Sequence, residues 1–305
     1  MPFKRSSQLS YTPGSVFTLH NGRIYVKWLQ LPMIVSVSRR CDIPRFQFDW
    51  FMGRVKAGFV EVANPFNSRQ IKRVSLVPAG EGVDLFVFWT RNPRHILANA
   101  DELTERGFPF YVMVTVTGYP NVLEPSMVRA SKVLNAMKEL ARKIGPDRVI
   151  WRYDPVLLSS VTDVDFHRVN FNELAQGLAG SVRRVIISMY DEYRESKKRL
   201  EAKEKCGELQ MLDTSGVLPS LLTDFAKSAE AADMEIQSCA EKEDFSSFGI
   251  KPGACIDAAL IKKLWGMELG GKDKNQRPNC LCCKSVDIGA YGICAAHCVY
   301  CYAWR

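Results

Sequence analysis

Nowhere in the 305 residues does an apolar run approach the roughly 18 needed to cross a bilayer. The N-terminus also lacks a secretory h-region, because Gly14, His20, Asn21, Arg23 and Lys27 interrupt every apolar stretch there. With neither signal, the expected setting is cytoplasmic and no membrane partner is expected. Acidic residues are missing from positions 1 to 41, which hold six Lys or Arg, so most of the formal charge of +8 belongs to that end. Beyond it, 35 basic residues face 33 acidic ones, a near balance that gives little support to nucleic-acid binding. There is no G-x-x-x-x-G-K-[ST] phosphate loop and no H-E-x-x-H pair, which removes two common enzyme classes. No internal repeat or low-complexity segment occurs.

What the chain does have is cysteine, and its distribution is uneven. Six of the ten fall between Cys280 and Cys301. In a chain without a secretory signal, clustered thiols point to metal rather than to a disulfide framework. The segment Cys294-Ala-Ala-His-Cys298-Val-Tyr-Cys301 spaces three thiols as C-x3-C-x2-C. Three thiolates on one tight loop can hold three irons of a cubane cluster and leave the fourth open, and an open metal position implies chemistry. Cys239, Cys255, Cys280 and Cys282 supply four more candidate ligands, enough to close a second iron-sulfur cluster or a zinc site; Cys283 can replace Cys282 by spacing. The bland alternative is that these four are ordinary buried cysteines. Cys41 and Cys206 read as packing or surface thiols, and the mixed-sign run from Asp191 to Lys205 reads as a solvated helical face. His95 and His167, on predicted helices, read as solvated or packed; His297 reads as a loop residue able to reach a cluster sulfur.

Short apolar runs alternate with amphipathic stretches along the chain. Strands are expected at residues 34–38, 59–62, 85–89, 110–116, 148–152, 184–188, 235–238 and 286–290. Helices are expected at 46–57, 94–106, 125–144, 165–179, 190–205, 218–232 and 256–265. Residues 64–67 read as a hairpin turn with a return strand at 73–77. This alternation predicts an α/β fold, specifically a TIM-like barrel, partial or permuted, with the cluster loop at the C-terminus. Three regions follow: an irregular N-terminal extension at 1–32, a barrel body at 33–240, and a cysteine-rich iron-sulfur segment at 241–305 that completes the barrel. If the last strand pairs beside the first at Ile34, the loop opens on the face where strand ends converge. Polar residues collect after the strands and name the candidates. Arg152 and Asp154 are candidate catalytic residues, and Arg39, Arg40 and Asp42 candidate cofactor contacts, each set alternatively pairing within itself or with the other at the rim. Tyr153, Tyr190, Asp191 and Glu241 share that expected face.

The C-x3-C-x2-C spacing, with Tyr300 before the last cysteine, resembles the cluster loop of the radical S-adenosylmethionine superfamily. That resemblance implies a 4Fe-4S cluster held by Cys294, Cys298 and Cys301, S-adenosylmethionine on the open iron, and Tyr300 beside the adenine. It also implies reductive cleavage to a 5'-deoxyadenosyl radical and a low-potential donor of the flavodoxin or ferredoxin type. The loop normally lies early in that superfamily, whereas here it lies near residue 305. The stretches Val35-Ser-Val-Ser-Arg-Arg-Cys-Asp-Ile-Pro44, Ala63-Asn-Pro-Phe-Asn67, Val87-Phe-Trp-Thr-Arg-Asn-Pro93, Ile150-Trp-Arg-Tyr-Asp-Pro155, Lys272-Asp-Lys-Asn-Gln-Arg277 and Ser285-Val-Asp-Ile-Gly-Ala-Tyr291 resemble an uncharacterised bacterial family of unknown function, marked by a C-terminal cysteine cluster likened to that motif. The expected function is therefore a radical enzyme acting on an unknown substrate. The alternative is a non-catalytic iron-sulfur or zinc protein that carries electrons, senses redox state or uses the metal as a staple.

Overall fold

The computed structural model describes residues 15–20, 23–28, 32–78, 80 and 82–304. Its elements, in order, are β1 (Ser15–His20), β2 (Arg23–Trp28), β3 (Ile34–Val37), α1 (Ile43–Phe46), α2 (Phe48–Ala57), β4 (Phe59–Asn64), β5 (Asn67–Ser75), β6 (Leu85–Thr90), α3 (Arg94–Glu105), β7 (Phe110–Thr115), α4 (Ala130–Ile144) and β8 (Val149–Val156). There follow α5 (Val164–Leu178), β9 (Arg184–Met189), α6 (Arg194–Lys205), α7 (Leu218–Ala231), β10 (Glu235–Cys239), β11 (Lys251–Gly253), α8 (Ala258–Trp265) and β12 (Val286–Asp287).

Eight strands form one parallel sheet in the order β11-β10-β9-β8-β7-β6-β3-β12. The last strand stands beside the first of this sheet, pairing Val286 with Val35 and Asp287 with Ser36. Among the described residues β11 and β12 are not paired with each other, so the sheet stays open and the ring of a closed barrel is not made. Strand side chains alternate between two buried faces, which is why the central strands are apolar throughout. Val35, Phe86, Phe88, Val112, Trp151 and Ile187 pack toward the helices that bear Phe51, Leu103, Met137, Phe171 and Phe225. Their neighbours Ile34, Val87, Tyr111, Met113, Ile150 and Ile186 pack with Leu260 and Ile261 of α8 and with the cysteines from Cys239 to Cys283. The cysteine-rich segment thus supplies both edge strands of the sheet and part of the cover of one face.

Several elements differ from the sequence expectation. The run at 59–62 lies outside the large sheet: it is part of β4, which pairs antiparallel with β5 in a hairpin whose side chains are mostly exposed. Its place in the eight is taken by β11, whose Lys-Pro-Gly sequence carries no strand signal and is tolerated because it is an edge. The helix expected at 46–57 is divided at Gln47, and the one expected from 125 begins at Ala130, leaving Glu124 on a loop. Part of the extension expected to be irregular forms β1 and β2, which pair antiparallel; residues 1–14, 21, 22 and 29–31 lie outside the described set.

His167 shows how the core handles a titratable group. Its Nε2–H donates to the Leu157 carbonyl at 3.0 Å, so Nδ1 accepts from the Tyr153 hydroxyl at 2.8 Å. Burial pushes its pKa from 6.5 down to about 4. The unfolded chain therefore takes up a proton first as pH falls. Stability is undiminished above pH 6.5 and drops by about 3 kcal/mol between pH 6.5 and 4. Urea titrations across that window should show a shallower loss in His167→Gln; identical slopes would rule this residue out as the cause.

Candidate functional site

A cavity of about 500 Å³ opens at the C-terminal ends of the parallel strands. Arg39 to Asp42 reach it after β3, Thr90 and Arg91 from β6, Arg152 and Asp154 from β8, Ser188 to Asp191 from β9, and Cys239 from β10. Loops leaving parallel strands converge there because all the strands point the same way. A smaller pocket of about 160 Å³, near Asp147 and Arg184, contains no cysteine.

The C-terminal segment is docked against this mouth by one buried carboxylate. Asp287 accepts from Ser36 Oγ at 2.9 Å, Ser38 Oγ at 2.6 Å, the Arg39 N–H at 2.8 Å and the Gly289 N–H at 3.0 Å. The Nε atoms of Arg39 and Arg40 lie 3.8 and 4.0 Å from it. Two residues on, the chain passes so close that a Cβ on Gly289 would stand 2.0 Å from Ser38 Oγ and 2.8 Å from Cys41 Sγ. Ser38 cannot turn away without losing Asp287. Gly289→Ala is accordingly expected to destabilise the protein by about 1–3 kcal/mol, read as a shift in the denaturant midpoint. An unchanged midpoint would refute the close-packing account.

Beyond β12 the chain returns across the mouth, so that Cys294, Cys298 and Cys301 line the cavity together. Burial pushes the Cys298 thiol up to about 12, with the sulfurs of Cys301 and Cys294 among the neighbours that act on it. Arg199 of α6 holds the loop from behind, donating to the carbonyls of Val299 at 2.9 Å and Trp304 at 2.8 Å and to that of Cys301. Tyr300 turns inward, its hydroxyl bonded to Glu124 and Arg91. Glu124 also pairs with Arg91 at 2.7 Å. Burial works against the charge on Arg91, but Glu124 and Tyr300 outweigh it and hold the guanidinium well above its usual range.

Four more thiols line the same cavity. Cys239 Sγ lies 3.4 Å from Cys255 Sγ, and Cys282 Sγ accepts the Ile256 N–H at 3.4 Å. Hydrogen bonding among the thiols pushes Cys239 and Cys282 down and Cys255 and Cys280 up. Arg152 lies nearby, 4.9 Å over the Trp89 ring, paired with Asp154, which in turn accepts from Ser188. Among the described residues, no group of three or more His, Cys, Asp or Glu is placed to hold a metal ion as it stands.

Residues 34–303 match the model of a domain of unknown function, DUF1848. The chain belongs to the DUF1848 family. No curated protein matches it. Among solved structures, the carboxyl transferase domain of Rhizobium etli pyruvate carboxylase is similar at 16% identity and a TM-score of 0.27, over 61% of this chain and 25% of that one. A structure of the pneumococcal virulence factor StrH, concerned with N-glycan recognition and hydrolysis, is similar at 9% identity and a TM-score of 0.24, over 68% and 52%. The chain spans about a quarter and about half of these two proteins. Likeness this slight carries no argument about function.

In this DUF1848 chain the seven cysteines named from sequence, together with Arg39, Arg40, Asp42, Arg152, Asp154 and Tyr300, line one cavity. Their partners are now specific. Arg152 pairs with Asp154, while Arg39 and Arg40 flank Asp287. Asp42 caps α1 through the Arg45 N–H at 3.0 Å and accepts the Arg91 N–H at 2.8 Å, so both its oxygens are engaged by backbone. Cys283 does not line the cavity, whereas Cys41 does. Arg91, with Thr90 and Asn92, was expected on this face from its place after a strand, whereas Glu124, Asp287 and Arg199 escaped assignment from sequence. A carboxylate inside the last strand, at Asp287, was the one visible signal; Arg199 was hidden in a run of charges that is otherwise solvated.

Proposed function

We propose that this DUF1848 protein is a radical S-adenosylmethionine enzyme, with Cys294, Cys298 and Cys301 as ligands to a 4Fe-4S cluster at the cavity mouth. The observation that carries this reading is the gathering of three thiols from one tight loop into a strand-end cavity of about 500 Å³, a size suited to a cofactor and a small substrate. The donor set fits the group: three soft ligands and no fourth from the same loop. Such a centre, with S-adenosylmethionine bound, supplies reductive cleavage of a sulfonium. The protein's own part is to hold and shield. Arg199 fixes the loop through three carbonyls, so the thiols keep their spacing. Tyr300, tied to Glu124 and Arg91, gives the loop a rigid inner wall against Tyr119. Arg39, Arg40 and Arg152 supply positive charge suited to the carboxylate of an amino-acid ligand. In this reading the open sheet is a partial, permuted barrel, in which the last strand brings the loop beside the first. A flavodoxin- or ferredoxin-type donor delivers the electron, and the setting is cytoplasmic.

The test is direct. Protein reconstituted anaerobically with iron and sulfide, then reduced with dithionite, should convert S-adenosylmethionine to 5'-deoxyadenosine, followed by chromatography. Iron and sulfide without cleavage under any reductant would favour electron transfer or sensing instead, and zinc alone would favour a structural staple.

A further inference from the structure

We infer that Cys239, Cys255, Cys280 and Cys282 form a second, closed thiolate site for a thiophilic metal centre, iron or zinc, in the wall of the same cavity. The site does not depend on the radical reading of the C-terminal loop.

Its ligands arrive from separate parts of the chain: Cys239 ends β10, Cys255 follows β11, and Cys280 and Cys282 come from the irregular stretch before β12. Thiols from three separate stretches would not be expected to converge by packing alone. Cysteines that serve only as small apolar residues pack singly among aliphatic side chains. Of these four, Cys239 and Cys255 lie within hydrogen-bond distance of each other, and all four border one cavity. Cys239 Sγ and Cys255 Sγ are 3.4 Å apart, and Cys282 Sγ lies 3.4 Å from the nitrogen of Ile256, the residue after Cys255. A tetrahedral centre with metal–sulfur bonds of about 2.3 Å separates its sulfurs by about 3.8 Å, close to the 3.4 Å between Cys239 and Cys255, and metal binding would draw the other two thiols in to the same spacing. All four are buried yet border a cavity that also contains Arg39, Arg152 and Arg277.

Charge and scaffolding agree with this assignment. Four thiolates around a divalent ion carry about two negative charges, which need a counter-charge when buried. Arg152 stands beside Cys239 with its Nε buried and without a hydrogen-bond partner among the described residues. The Ile256 N–H already donates to Cys282 Sγ, the usual outer support of a metal thiolate. The backbone is held in position on both sides: Tyr111 donates to the Cys255 carbonyl at 2.6 Å, and Cys283 N–H to the Ile256 carbonyl at 3.0 Å. Residues 266–285 contain almost no regular structure beyond the bridge between Lys272 and Cys283. A stretch of that kind gains order from metal binding, because the binding free energy becomes folding free energy.

The experiment uses full-length protein purified without oxygen, with iron, zinc and acid-labile sulfide measured per chain. A variant with Cys294, Cys298 and Cys301 all changed to alanine removes the open loop but should keep a stoichiometric metal centre. Cys255→Ser with Cys282→Ser should lose that centre completely while the open loop keeps its own. Iron with sulfide, iron alone or zinc in the triple variant each supports the site and identifies its occupant. A triple variant with only trace metal overturns the inference. Should the double variant misfold, thiol counting on the triple variant decides: four thiols should become reactive only after a chelator is added. Four that react at once without it refute the site.

Discussion

Cys298→Ala should abolish conversion of S-adenosylmethionine to 5'-deoxyadenosine. Cys298 is the middle one of the three proposed ligands, 5% exposed, and its carbonyl accepts the Cys301 N–H at 3.0 Å in the tight turn that sets the spacing. Removing it leaves two thiols, which cannot define three corners of a cubane. Losing an outer partner of a metal ligand costs about 10–100-fold in affinity or activity, and losing a ligand itself should exceed that range. The control is Cys206→Ala at the end of α6, where the thiol is exposed and remote from the cavity lining, and which should retain full turnover. Equal rates in both variants would remove Cys298 from the chemistry. Stoichiometric iron in Cys298→Ala with no turnover would be consistent with a damaged open centre alongside the second site.

Asp287→Ala should be the most destabilising single change in the C-terminal segment. The carboxylate gathers four donors, two serine hydroxyls and two backbone N–H groups, with two arginines close by. Its removal leaves those donors buried without an acceptor and the two cations without a counter-charge. Breaking a buried charge network from one side costs about 3–5 kcal/mol. Because β12 is two residues long, little else joins it to β3. The expected readout is a large fall in the urea midpoint together with, for reconstituted protein, faster loss of the proposed cluster, since the strand carries the loop behind it. Asp287→Asn keeps one acceptor oxygen and should fall between the two. A midpoint unchanged in the alanine variant would mean that the segment is held by something other than this carboxylate.

The cysteines were legible in sequence because the spacing of a ligand loop is local, and three thiols within eight residues cannot end up far apart. The helices were mostly legible as well, since an apolar stripe is also local, while the capping carboxylates Asp163 and Asp257 became evident only in the structure. β11 was not: three residues with Pro and Gly have no pattern, and only a neighbouring strand edge makes them a strand. The run at 59–62 was legible as one arm of a hairpin from the turn residues at 64–67, though the return strand runs over Asn67–Ser75 and not 73–77. Its strand pattern is real, but the same pattern suits a protruding hairpin and a buried parallel strand.

By itself, then, the sequence determined the kind of chain, alternating strands and helices, and the ligands it can offer to a metal. Tertiary structure alone decided that the two cysteine groups share one cavity, that Asp287 anchors the last strand beside the first, and that Arg91, Glu124 and Arg199 brace the loop. Those pairings join residues up to about 250 positions apart. At that separation, position in the chain says nothing about distance in space, and only the register of a parallel sheet brings the partners together.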